Sequence, residues 1–300
     1  MTEFQSVTAA VTTVWSSPDA PRDIDAAAIA DRPDVAAWVA SMGEKERLGL
    51  HGRTVTQALL GEPVQILAER DEWAEVVLPW QPSSGDERGY RGWVPRQHVG
   101  LAPEASALFA VVTAPVVATR DGLALSYGTI LPVVDRADDG VRVGIGGGAT
   151  AWLDADGIAV QPFGQRTSDP GSMLALAGQL LGLRYLWGGT CGWGVDCSGF
   201  VHLTHRIMGF TIPRDAFDQA AACRPKKLTS AGASDLYFFA RPDARVYHVG
   251  FTTTTPGTVS PGDFTMLHAP ETSEAVLIED APLAPHRRDT LVAAGTFLRR

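Results

Sequence analysis

The stretch Tyr185-Leu186-Trp187-Gly188-Gly189-Thr190-Cys191-Gly192-Trp193-Gly194-Val195-Asp196-Cys197-Ser198-Gly199-Phe200 puts a glycine-rich loop directly before an apolar-patterned segment that reaches about Met208. Phe200, Val201 and Leu203 fall on a buried helical face, and Gly209 is placed to cap the C-terminus. The reading is loop, then helix, with Cys197 at the helix entrance. Unpaired N–H groups and the positive end of the helix dipole favour a thiolate there. The glycines let backbone or substrate come close. A free cysteine is more often a small buried apolar group than a nucleophile, so chemistry at Cys197 requires a partner base.

Seven histidines are available: His51, His98, His202, His205, His248, His268 and His286. His248 lies in Arg245-Val246-Tyr247-His248-Val249-Gly250-Phe251, which alternates like a strand, and His268 lies in the next strand-like segment, Met266-Leu267-His268-Ala269-Pro270. Adjacent antiparallel strands place both imidazoles on one face beside the helix that carries Cys197. That assembles nucleophile, base and orienter, although two half-buried structural histidines have the same spacing. His202 and His205 lie on the Cys197 helix without a third ligand, and a catalytic zinc needs three protein ligands, so no metal site is expected. Gly144-Ile145-Gly146-Gly147-Gly148-Ala149 imitates a dinucleotide-binding loop. The fingerprint needs a helix to follow, whereas 151–153 reads as strand, so this is a hairpin turn.

Residues 161–170 are rich in Pro, Gly, Ser and Asp and read as a linker. After it, Met173, Ala177, Leu180 and Leu181 mark an amphipathic helix, then comes the Cys197 helix, then strands at 235–239, 246–252, 265–268 and 275–278. This is an α+β layout. Upstream, strands at 54–60, 63–68, 73–78 and 92–95, separated by turns, suggest a small barrel or sandwich. A helical insert carries Val35, Trp38, Val39 and Met42 at helical spacing, with Asp34 near its start. A second β-rich unit has strands at 110–113, 116–119, 130–134, 141–145 and 151–153. Both units close on a Trp-containing strand, around Trp93 and Trp152, as two related modules would. The expected domains are 1–102, 106–162 and 168–300.

Length and composition agree with this division. Three hundred residues with 45% apolar and 20% charged types describe a folded globular chain of two domains, with one or three allowed. Lys and Arg number 25 against 34 Asp and Glu, a net charge of −9, which argues against non-specific nucleic-acid binding. The most apolar stretch, 107–118, is broken by Thr113 and Pro115 and is too short for a membrane span. Met1-Thr2-Glu3-Phe4-Gln5-Ser6 has neither the basic start nor the apolar run of a secretory signal, so a cytoplasmic location is expected. Cys191, Cys197 and Cys223 are odd in number and form no Cys-x-x-Cys pair, which suggests reduced thiols and no structural zinc.

Four ordered motifs carry a resemblance. They are Tyr185-x-Trp187-Gly188-Gly189 with Gly194-x-Asp196-Cys197-Ser198-Gly199-Phe200; Ile212-Pro213-Arg214-Asp215-Ala216-x-Asp218-Gln219; His248-Val249-Gly250; and His268-Ala269-Pro270. Together they resemble the NlpC/P60 cysteine peptidases. The resemblance implies a papain-like α+β domain in which Cys197 is the nucleophile, His248 the base and His268 the residue that orients it, with no cofactor. Trp15, Pro18, Trp38, Thr54-Val55-Thr56-Gln57, Gly61-Glu62, Trp73, Gln81 and Gly89-Tyr90-x-Gly92-Trp93-Val94-Pro95 are similar to the first bacterial SH3 domain of the γ-D-glutamyl-L-diamino acid endopeptidases. Residues 106–162 are similar to their second SH3-like module.

That subfamily cleaves murein peptides with a free N-terminal L-Ala and releases L-Ala-γ-D-Glu, often in cytoplasmic recycling. The resemblance therefore implies a pocket for an ammonium group, with Asp215, Asp196, Ser198, Glu62 and Tyr90 as candidates. Trp187 is expected to shape the pocket wall, and the Cys197 amide with the Tyr185 hydroxyl to hold the oxyanion. Three departures stand out: Ser234-Asp235 for the usual Gly-Asp, Ala216 where relatives often carry a small hydroxyl residue, and a long interval between His248 and His268 containing an insert at 252–262. Two other readings stay open. One is a cell-wall peptide-binding protein with an inactive peptidase domain; the other is an amidase or acyltransferase on the same thiol scaffold.

Overall fold

The structure is a computed structural model that describes residues 5–254, 264–271 and 279–298. The first unit is one seven-stranded antiparallel sheet. Its strands are β1 (Gln5–Val7), β2 (Val11–Trp15), β3 (Thr54–Leu59), β4 (Pro63–Arg70), β5 (Trp73–Leu78), β6 (Tyr90–Pro95) and β7 (Val99–Leu101), in the order β3-β2-β6-β5-β4-β1-β7. Between β2 and β3 the chain makes short helices α1 (Ala26–Ile29), α2 (Val35–Ser41) and α3 (Glu44–Leu48). The expected insert is α2. Asp34 caps it by accepting from the Ala37 amide, and its Trp38 packs at 6.1 Å on Trp15 while donating to Asp25. β1, β2 and β7 were not read from the sequence.

The second unit contains β8 (Phe109–Val112), β9 (Val116–Ala118), β10 (Ala124–Ser126), β11 (Ile130–Ala137), β12 (Gly140–Gly146), β13 (Ala149–Asp154) and β14 (Ile158–Gln161). Five of these form a sheet in the order β13-β12-β11-β8-β14, and β9 pairs with β10. The glycine run at 146–148 is the turn between β12 and β13, with all three residues at positive φ. The dinucleotide-loop imitation is thus a hairpin.

The third unit begins with α4 (Pro170–Gly178), the short hairpin β15 (Thr190–Cys191) and β16 (Gly194–Val195), α5 (Cys197–Ile207) and α6 (Ala216–Ala222). There follow β17 (Arg224–Lys226), β18 (Leu236–Ala240), β19 (Val246–Thr252), β20 (Thr265–His268), β21 (Glu279–Pro282), α7 (Pro285–Arg288) and β22 (Leu291–Thr296). The sheet order is β17-β22-β18-β19-β20-β21, with α5 and α6 packed on β19. The strand expected at 275–278 and most of the insert expected at 252–262 lie outside the described residues.

The three units share one core. A single buried cluster contains Trp15, Trp38 and Leu59 from the first, Val111 and Tyr127 from the second, and Phe200, Val249 and Phe251 from the third. Gly192 lets the loop before α5 touch the second unit, because a Cβ there would lie 1.8 Å from the Pro115 oxygen. Gln57 and Thr190 exchange backbone and side-chain hydrogen bonds across the first and third units.

Glu62, expected at the ammonium pocket, has a different place. It is 1% exposed and receives both terminal nitrogens of Arg206 on α5 at 2.9 and 3.0 Å. Gln81 and the Leu59 amide complete its four hydrogen bonds. Its carboxylate therefore anchors the first unit to α5. Removing one partner of a buried pair strands the other charge, at a cost of ~3–5 kcal/mol. Glu62→Ala is expected to lose about that much in a denaturant titration. A loss under ~1 kcal/mol, the range of an exposed pair, would show that this contact is not an anchor.

Candidate active site

Asp196 starts α5. Its Oδ1 accepts from the Gly199 amide at 2.7 Å, the N-cap bond that ends the loop and begins the helix at Cys197. Gly199 is required by contact rather than by φ: a Cβ there would sit 2.1 Å from the Gly189 oxygen. The loop thus folds back on the first turn of α5 and fixes where the sulfur lies.

Cys197 is 7% exposed, and the backbone amides of Val249 and Ser198 face its sulfur. Val249 directly follows His248, so the imidazole starts one Cα step, about 3.8 Å, from a residue in contact with the thiol. His248 Nε2 lies 3.0 Å from His268 Nδ1, with the rings edge to face. In the tautomer that donates from His248 Nε2 to His268, Nδ1 of His248 is left as a proton acceptor. The two strand histidines are therefore paired, as their spacing suggested.

The protonation states differ from the thiolate expected at a helix entrance. Burial, and after it the Asp196 charge, pushes the Cys197 thiol up to about 12; the Val249 and Ser198 amides and Arg214 pull the other way. Burial holds His248 well below 6.5, helped by Arg287 and His268, and takes His268 down to about 3. Burial thus opposes the helix dipole at Cys197 and disfavours a charge on either imidazole.

Cys197 opens on a cavity of about 380 Å³. Tyr185, Trp187, Asp196 and Ser198 line it from the third unit, together with Asp215, Ala216 and Phe217 at the start of α6. Gly52, Thr54, Val55 and Tyr90 line it from the first unit. Burial, with Cys197 and Asp196 close by, holds the Tyr185 hydroxyl well above 10, so it stays protonated and able to donate. Trp187 is stacked on His51 at 3.6 Å, which places a loop of the first unit against the pocket wall.

The carboxylates divide by how fully they are used. A carboxylate accepts about four hydrogen bonds. Asp196 takes five: from Gly188, Gly199, Ser198 and two from Arg214. Arg214 is 1% exposed and also reaches Thr56 of the first unit and the Ser198 hydroxyl. Asp196 and Ser198 therefore line the cavity as parts of a closed network. Asp215 does not pair with its neighbour Arg214. It occupies the N-cap position of α6 without capping it, and its two oxygens share the Tyr90 hydroxyl at 3.1 and 2.9 Å. Burial pushes its pKa up, against the pull of Arg214 and Tyr90. It is a carboxylate on the cavity wall with acceptor capacity left over. Ala216 adds only a methyl group beside it.

The sequence reading passed over Arg214 as a central group, and it missed His51, Thr56, Phe217 and Tyr247. Arg214 and Phe217 lie in the motif around Asp215, yet chain adjacency does not reveal that Arg214 turns to Asp196. Among the described residues no group of three or more metal-ligating side chains occurs. His202 lies between the Ile212 carbonyl and Arg206, and His205 bonds to the Val201 carbonyl and stacks on Phe251.

Comparison with known proteins agrees with this geometry. Residues 182–292 match the NlpC/P60 family, residues 50–99 the bacterial dipeptidyl-peptidase SH3 domain, and residues 115–160 the YKFC SH3b2 domain. A γ-D-glutamyl-L-lysine dipeptidyl-peptidase of Bacillus subtilis is 32% identical over 92% of this chain and 93% of its own length. A protein of the same name from Bacillus cereus is 32% identical over 92% of this chain and 85% of its own. The crystal structure of an NlpC/P60 family protein from Bacillus cereus superposes with a TM-score of 0.89 at 28% identity, covering 99% of this chain and all of that one.

Two pH effects follow. His98, His202, His205, His248 and His268 are all buried and all depressed below 6.5, His205 to about 4. The unfolded chain binds these protons first, so their contribution to stability is complete above pH ~6.5 and is lost as the pH falls towards the folded values. Asp215, being raised, acts in the opposite direction but is one group. Melting temperature is expected to drop between pH 7 and pH 5, and a flat profile there would contradict the burial of these rings. The acid limb of kcat/KM is expected below pH 6.5, since neutral His248 persists to lower pH; a limb at or above 7 would not fit.

Proposed function

The chain belongs to the NlpC/P60 family and is a cysteine peptidase acting on peptidoglycan peptides, and from that premise we propose that it cleaves the γ-D-Glu–diamino acid bond of peptides with a free N-terminal L-Ala. The product is L-Ala-γ-D-Glu, and cytoplasmic recycling of murein peptides is part of the proposal. The observation that carries it is Asp215, an under-used carboxylate held by Tyr90 on the wall of the Cys197 cavity. An ammonium group supplies the donors that Asp215 lacks, and its charge suits a half-buried carboxylate.

In the mechanism, Cys197 Sγ attacks the γ-carbonyl carbon of D-Glu as its proton passes to His248. The resulting oxyanion is held by the Cys197 amide and the Tyr185 hydroxyl. The His248 imidazolium gives its proton to the leaving amine, the C–N bond breaks and a thioester remains. Water then attacks the thioester, losing its proton to His248, and the restored thiol takes that proton back as the dipeptide departs. His268 holds the tautomer of His248 throughout. On this reading the first unit contributes selectivity, because Tyr90, Thr54 and Val55 form part of the cavity wall near Asp215 and would meet a longer N-terminal extension.

The test is mass spectrometry of products from L-Ala-γ-D-Glu-diaminopimelate and from its N-acetylated form. Acetylation removes the charge and leaves Asp215 without its partner. A charge-assisted hydrogen bond contributes about 1.5–3 kcal/mol, so kcat/KM should fall roughly 10- to 150-fold. Asp215→Ala should give a similar loss on the free peptide and little further loss on the acetylated one. Equal cleavage of both peptides would favour an amidase without an ammonium pocket. No cleavage of either, with the thiol intact, would favour a binding protein. Cys197→Ala should abolish turnover and keep the melting temperature within a few degrees.

A further inference from the structure

The chain carries a net charge of −9, yet three guanidinium groups gather against aromatic side chains that line its cavity. The guanidinium of Arg245 stands 4.8 Å from the Phe217 ring centroid, and that of Arg241 stands 5.2 Å from Tyr247. Arg287 lies 6.0 Å from Tyr247 and 5.8 Å from Phe239. Phe217 and Tyr247 both line the cavity that holds Cys197. Tyr247 is fixed by a hydrogen bond to Thr290, whose hydroxyl also reaches the Arg287 carbonyl. Two aromatic side chains of the cavity wall are thus backed by three guanidinium groups.

None of the three is in an ion pair among the described residues, and Asp243, at the tip of the hairpin between Arg241 and Arg245, pairs with neither. Arg287 is the decisive member. It is only 8% exposed, and its side chain contacts rings rather than a carboxylate. A ring face offsets only part of the cost of removing a cation from water. The other buried guanidiniums of this protein, Arg206 and Arg214, both have carboxylate partners. A largely buried cation with no carboxylate partner among the described residues, packed behind the wall of a peptide-binding cavity, points to an anion supplied by the ligand.

We propose that Arg241, Arg245 and Arg287 form a subsite for a carboxylate of the substrate peptide. The inference rests on the peptide substrate proposed above and deepens it. A γ-linked Glu keeps its α-carboxylate free, and the diamino acid carries another carboxylate, so the shared chemistry is a peptide carboxylate from one of these two sources. With Asp215 and Tyr90 taking the ammonium and this rim taking a carboxylate, two opposite charges fix the direction in which the peptide lies over Cys197.

Three tripeptides test it: the unmodified peptide, the Glu α-amide and the diamino acid carboxamide. The Arg241→Gln/Arg245→Gln double variant changes exposed side chains and leaves the core alone, with melting temperature as the check. It should raise KM roughly tenfold on the unmodified peptide with kcat nearly kept, the pattern of lost uniform binding. In the wild type, one of the two amides should reproduce that rise and so identify the carboxylate. The same amide should add nothing further in the variant, and salt should narrow the difference. Arg287→Lys should retain more affinity than Arg287→Gln. An unchanged KM in the double variant, or amide and substitution effects that simply multiply, overturns the subsite. Failure of the wild type to cleave the unmodified peptide overturns the proposed reaction instead. Calorimetric binding of the three peptides to Cys197→Ala, with and without the arginine pair, then judges the rim alone, and equal affinities refute it.

Discussion

The pairing of Arg214 with Asp196 is the contact on which the site depends. Asp196 caps the helix that carries Cys197, and Arg214 holds both of its oxygens from a position closed to solvent. The same guanidinium reaches Thr56 in the first unit and the Ser198 hydroxyl, and its backbone amide donates to Pro82. One buried cation thus fixes the helix start, the residue after the nucleophile and the seat of the first unit. Arg214 also precedes Asp215, so anchoring it sets where that carboxylate enters the cavity. A buried pair of this kind adds little net stability but enforces one arrangement, because any other leaves a charge unpaired.

The first unit belongs to the active site in the physical sense. Its contribution is a rigid wall: Tyr90 bonded to Asp215, Gln57 locked to Thr190, Thr54 donating to the Trp187 carbonyl, and His51 stacked on Trp187. Each contact joins a residue of the β unit to the loop before Cys197 or to the start of α6. The second unit is tied to α4 and to the same loop before Cys197. Tyr127 donates to the Leu176 carbonyl on α4, and the Gly192 amide donates to Ser126. Independent motion of the units would require opening the shared core as well as these bonds, which favours a single closed arrangement.

The elements nearest the chemistry were the easiest to read. Cys197 at a helix start and the strands bearing His248 and His268 follow from glycine placement and alternation, and the observed α5, β19 and β20 lie where those patterns put them. What escaped the sequence depends on distant pairing. β1 and β7 are three-residue strands, too short for any period to register, and they exist because they pair with each other and β1 pairs with β4. Glu62 was legible as a polar residue in a turn, but not as the partner of Arg206 on α5. Asp215 and Arg214 are neighbours in the chain and diverge in space, since successive residues entering a helix point different ways. The thiolate expected at the helix entrance meets an opposing effect that the local pattern does not show. A dipole argument counts one local field, whereas the protonation state also reflects how completely the surrounding units remove water.

That removal of water has a chemical consequence for the order of events at Cys197. A thiol held towards its neutral form by burial is a poor nucleophile towards electrophiles arriving from solvent, because the thiolate is the reactive species. A peptide carbonyl seated against the Cys197 amide and the Tyr185 hydroxyl changes the balance. Negative charge then forms on an oxygen already met by donors, while the thiol proton has His248 as its destination. In the proposed reaction attack and proton transfer are coupled, and the charge-separated state is stabilised when a substrate occupies the cavity. The burial that suppresses the thiolate in the empty site therefore also makes reactivity conditional on a correctly placed peptide.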